Sequence, residues 1–298
     1  MNKATERIES RKIQQVGKRS YAISLPKHWI KENNLKAQDN LFLQITKNRD
    51  ITIHSKQTTT QIDSLIVNIE NIPNISEFIV FCYEKSISNI KIISKKFDYD
   101  TVSKIKETLE YLDGYEITRE DHTHIEISFL FKDVDINIKK IILRITYLLI
   151  LMIESLEKKD YKVLTQTELS IDKLYHLAKK ILFDCLRNQN IRTQNEIEHF
   201  EDIFYMKDII KRLENIGDLL YQFKNINKKN IEKLRRYTEF CDQMLNKKEN
   251  LEQCRTQLEK LKSEKQETYV IHRAYKLCKD IMENMASLEY NKKFFTQE

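Results

Sequence analysis

Residues 211–220, "KRLENIGDLL", decide how the second half of this chain is read. The spacing of Leu213, Ile216 and Leu220 is that of one face of an α-helix. Gly217 interrupts it, although glycine inside a helix costs about 1 kcal/mol relative to alanine. It is one of only three glycines in 298 residues, so the position asks for an explanation. Glu214 and Asp218 flank it one helical turn apart, on one side of the helix.

Outward from this stretch, residues 134–298 contain no proline and no second glycine. Apolar residues recur every three or four positions, first at Leu164, Ile171, Leu174, Ala178 and Leu182, then at Met206, Ile210, Leu213 and Leu220. That period predicts an all-α antiparallel bundle of five or six long helices. Breaks are expected near 158–160, 188–194, 225–230 and 246–249. The charged stretch after 246 is expected to be a protruding hairpin or a solvated helix surface.

Residues 62–131 alternate differently. "LIVNIE", "IKIIS", "GYEITRE" and "HIEISFLF" read as strands, with helical "ISEFIVFCYEK" and "DYDTVSKIKETLEYL" between them, the second stopping at Asp113-Gly114. This predicts a small α/β sandwich. It has no glycine-rich phosphate loop and no metal-ligand spacing around Cys82, His122 or His124. Within residues 1–56, residues 12–54 read as hairpin, short helix at Pro26, and second hairpin across the turn "TKNRD", with "SKQTTTQ" (55–61) as a linker. So short a unit has little core of its own, which predicts dimerisation. The fold class is thus multidomain α+β: a small strand-rich head (1–56), an α/β sandwich (62–131) and a helical bundle (134–298).

Charge is concentrated at one end. Residues 1–36 hold nine Lys or Arg against three Glu, a surplus of six that equals the net charge of the whole chain. A basic head on a neutral body suits a polyanion-binding module. The five cysteines are odd in number and never spaced Cys-x-x-Cys, as expected for reduced cytosolic thiols. The N-terminus has no signal-peptide core, and the apolar run 141–153 is too short to span a bilayer and contains Arg144. We therefore expect a cytoplasmic protein without membrane insertion.

No nucleophile elbow, P-loop or third zinc ligand accompanies the histidines. A di-iron bundle needs two Glu-x-x-His motifs, and only Glu196/His199 fits. The expectation is a protein that is not an enzyme. Glu-x-x-x-Asp occurs three times, at Glu168/Asp172, Glu198/Asp202 and Glu214/Asp218. This composition produces about one or two such matches by chance, so spacing does not separate a site from solvated helix charges.

Two resemblances add to this. "RKIQQVGKRSYAISLPKHWIKENNLKAQDNLFLQ" resembles the SpoVT/AbrB-like swapped-hairpin family, through Arg11-Lys12, Gly17, Leu25-Pro26-Lys27 and Trp29. It departs at Gln38-Asp39, where the family usually has Gly-Asp, and at Lys18-Arg19, where it has small residues. The resemblance implies a dimeric barrel of interleaved hairpins that grips DNA, with Arg11, Lys12, Lys18, Arg19 and Lys27 as phosphate contacts. "RLENIGDLL" and "ELSIDKLYHLAKKIL" (168–182) are similar to the two carboxylate helices of PhoU, the helical regulator of phosphate uptake, with Asn215 in place of an arginine. That resemblance implies a divalent or iron-type metal ion at Glu168, Asp172, Glu214 and Asp218. No second Glu-x-x-x-Asp set follows residue 226. Together they imply a homodimeric, phosphate-responsive transcriptional regulator of the archaeal PhoU type. The alternative is an adaptor acting on a phosphate transporter or sensor kinase, its head serving only to dimerise.

Overall fold

Few glycines and prolines leave helix ends to be set by side chains, and asparagine or aspartate caps most of them, though not the helices that start after Pro26, His199 and Thr268. The computed structural model describes residues 9–45, 51–55, 64–130, 137–224, 226–246, 250–262 and 268–295. The chain divides into two units, Met1–Thr59 and Thr60–Glu298.

In the first unit, β1 (Gln14–Val16) pairs antiparallel with β2 (Ser20–Ala22), and β3 (Phe42–Ile45) with β4 (Ile51–His54). Between the pairs lies α1 (Lys27–Glu32), with Pro26 at its N-cap. The hairpin–helix–hairpin order is that read from the alternation; the turn 46–50 and most of the linker fall outside the described residues. Gly17 sits in the β1–β2 turn at φ +70. Gln38, where the resembled family has glycine, takes φ +78. Asp39 steadies that turn by accepting a 2.6 Å hydrogen bond from the Lys36 N–H. Among the described residues of this unit none is buried.

The second unit opens with a four-stranded mixed sheet in the order β5 (Ser64–Asn68), β6 (Asn89–Ile93), β8 (His124–Phe129), β7 (Tyr115–Glu120). The β5–β6 pair is parallel and the other pairs are antiparallel. Helices α2 (Ile75–Glu84) and α3 (Tyr99–Leu109) begin at Asn74 and Asp98, each capping backbone N–H groups. α3 stops at Leu109, a turn before the expected Asp113-Gly114. Ile79, Cys82, Tyr83, Ile90, Ile92, Ile105, Ile125 and Ile127 form the core of this layer.

Six longer helices follow: α4 (Ile138–Lys158), α5 (Tyr161–Arg187), α7 (Phe200–Gln222), α8 (Lys228–Leu245), α9 (Leu251–Leu261) and α10 (Tyr269–Phe294), with the short α6 (Gln189–Gln194) before α7. Asn137, Asp160, Asn227 and Asn250 cap four of them. The four expected breaks are present, and a further one, between α9 and α10, was not expected. At the tight α4–α5 turn Lys159 adopts φ +56, a place where glycine would be ordinary. α9 does not protrude as a solvated surface: Cys254 and Leu258 join the helical core. That core is separate from the core of the sheet layer.

Candidate functional site

α5 brings Glu168 and Asp172, and α7 brings Asp218, to one half-buried point where an oxygen from each lies within 4.8 Å of the others. Oxygens around a calcium-sized cation at about 2.3–2.6 Å lie at most about 5 Å apart, so the three fit a hard divalent cation. Their electrostatics agree. Burial, and then the neighbouring Glu168, Asp218 and Glu214 charges, push the Asp172 acid up to about 7. Glu168 is raised by burial and by Asp218 and Glu214. Asp218 is raised by burial, against the opposing charge of Lys211. A dication here would replace this repulsion with attraction.

Glu214 is placed differently from its three companions. Lys211, one turn earlier on α7, donates to Glu214 Oε1 at 2.8 Å and Oε2 at 2.6 Å. Lys211 also lies over the Tyr175 ring at 4.9 Å. Glu214 is buried, and burial raises its acid further than this hydrogen bond lowers it. It contributes charge to the cluster without joining the group of three. The remaining Glu-x-x-x-Asp match, Glu198/Asp202, serves the fold: Asp202 accepts a 2.8 Å hydrogen bond from Asn291 on α10.

Two side chains beside the cluster escaped the sequence. Tyr111, just beyond α3, has its hydroxyl pKa raised by burial and by Glu168 and Asp172. Nothing in its sequence neighbourhood signals that contact, which is made across the fold. Lys211 was not singled out either, although its i,i+3 spacing to Glu214 is a local signal that could have found it.

The basic candidates lie on the first unit. Arg11, Lys12, Lys18, Arg19 and Lys27 are all exposed, with Lys18 and Arg19 in the turn beside Gly17 and Lys27 opening α1. Arg11 is ion-paired with Glu9, which offsets part of its charge. Around them Ile13, Val16, Tyr21, Ile23, Leu43, Ile45 and Ile51 are each more than half exposed. A strand unit with this much apolar surface uncovered lacks a core within one chain.

A family model described as antidote-toxin recognition MazE, bacterial antitoxin, matches residues 14–61. The match supports an N-terminal swapped-hairpin DNA-binding domain. It does not reach the sheet layer or the helices. No curated protein and no solved structure matches the chain. Among the described residues, no helix is long and apolar enough to cross a membrane.

Proposed function

We propose that the chain is a homodimeric, phosphate-responsive transcriptional regulator. Its first unit binds duplex DNA, and its helices sense phosphate status through a divalent cation or a partner protein. The observation that carries the DNA reading is the β1–β2 turn, where Lys18 and Arg19 project beside Gly17 within the stretch matched by the family model. Two copies would present these charges twice, as phosphate contacts that position without reading sequence. The exposed strand faces support the dimer.

The phosphate part rests on the resemblance of the carboxylate helices to PhoU and on the convergence of Glu168, Asp172 and Asp218. Where a cation binds, it offsets most of the charge of these three, and a shift between DNA-competent and DNA-incompetent dimers follows only if it prefers one of them. No catalytic step belongs to this reading. An adaptor whose first unit only dimerises would leave the same strand faces exposed, so DNA binding separates the two. Duplex affinity should fall steeply with salt, and Lys18→Ala with Arg19→Ala and Lys27→Ala should flatten that slope. Absence of duplex binding at low salt defeats the DNA reading and leaves the adaptor.

A further inference from the structure

Within Thr60–Glu298 the sheet layer and the helices keep separate apolar cores, and much of what joins them is polar. α5 carries Lys173, His176, Lys180 and Arg187 at intervals of three, four and seven residues, which place them along one helix face. Each meets the sheet layer. Lys173 pairs with Asp113 at 3.4 Å. His176 faces Glu84 at 3.3 Å, and Lys179 reaches the same carboxylate at 2.5 Å. Lys180 donates to Ser86 Oγ at 2.9 Å and lies 4.8 Å from the centre of the Phe129 ring. Arg187 donates to the Lys85 carbonyl at 2.7 Å. Asp184, buried on α5, accepts the Ser86 hydroxyl at 2.7 Å.

We propose that Ser64–Leu130 is a detachable arm, latched to α5 by these ion pairs. An ion pair closed inside protein returns little net free energy, because separating the charges restores their hydration. Polar interfaces between structural layers accordingly permit relative motion, whereas a shared apolar core does not. Burial works to raise the Glu84 acid, but hydrogen bonds and charge from His176 and Lys179 outweigh it and hold it below its ordinary value. Glu84 therefore stays charged and is the centre of the latch. β5, the first strand of the arm, follows the first unit in sequence. The inference concerns the second unit alone and stands whether or not the first binds DNA.

The test uses the full chain with spin labels at Lys104→Cys on α3 and Lys162→Cys on α5, diluted with unlabelled chain so that only distances within one chain are read. The five native cysteines are buried, so the label goes to the introduced thiols. Glu84→Lys sets like charge against Lys179. It should raise a longer-distance population from a minor-state level of about 0.1–10% to a majority, and adding Lys179→Glu should remove that population. An unchanged distribution in Glu84→Lys overturns the latch, as does a second population that the charge swap leaves in place. If Glu84→Lys does not fold, Asp113→Lys with and without Lys173→Glu makes the same comparison at the more exposed end of the seam, under the same two criteria.

Discussion

The Cβ that Gly217 lacks would stand 3.3 Å from Ile171 Cδ1 and 3.7 Å from Leu149 Cδ2. The glycine on α7 is therefore a packing point for α5 and α4, and the space above it is filled by apolar side chains rather than by a ligand. Alanine there gains about 1 kcal/mol of helix propensity. Against this, the end of the Ile171 side chain must yield by a few tenths of an ångström in a close-packed core. Gly217→Ala should accordingly fall within about 1 kcal/mol of the parent in urea unfolding, while Gly217→Leu should lose about 2–3 kcal/mol by overpacking. Equal stability for the two variants would show that Ile171 does not hold this position.

Asp172 gives the protein a pH dependence of definite sign. Its acid is raised from 3.8 to about 7 in the folded chain. Between those values the folded state binds more protons than the unfolded state, so stability falls as pH rises through the window. The carboxylate is partly solvated, and screening reduces the effect to about 1–2 kcal/mol. Asp172→Asn should flatten the slope of melting temperature against pH between about 4 and 7 and be the more stable protein at pH 8. A slope that Asp172→Asn leaves unchanged would contradict the burial and crowding of this carboxylate.

A divalent cation should reverse the cost of ionising the cluster. At pH 8, manganese or calcium at about a hundred times its dissociation constant stabilises by about 2.7 kcal/mol, or roughly 5–10 °C in melting temperature. Asp172→Asn with Asp218→Asn should abolish the shift. Glu214→Gln should retain most of it, because Lys211 holds Glu214 apart from the other three. A shift of equal size in all three proteins would place the cation elsewhere.

How far the sequence could be read depended on whether a contact is local. Helix breaks were legible because Asn137, Asp160, Asn227 and Asn250 cap their own backbones, and the hairpins because strand alternation is a property of neighbours. Glu168, Asp172 and Asp218 were found as spaced pairs, but their meeting across α5 and α7 is tertiary. Lys173, His176 and Lys180 carried no such signal, since nothing nearby in the chain announces Asp113, Glu84 or Ser86 as partners. Gln38 misled in the opposite way: its side chain argued against a left-handed turn that the backbone nevertheless adopts.

The first unit yields the most direct test of assembly. Leu43 and Ile45 are 64% and 73% exposed on β3, and none of the described residues around them is buried. Burying a leucine or isoleucine side chain contributes about 1.5–3 kcal/mol, so a second copy covering both faces gains several such terms, while a buried unpaired carboxylate forfeits them. Leu43→Glu with Ile45→Glu should therefore sediment as a monomer at micromolar concentration, with the helix content of the second unit unchanged. Duplex binding should weaken in the same variant, because each chain then offers half the phosphate contacts, and every lost contact lowers the salt slope by about 0.9. Lys18→Ala with Arg19→Ala should do the converse, lowering the slope while the dimer persists. A double-glutamate variant that stays dimeric would mean that the strand faces are not the interface and that the second unit holds the two chains together.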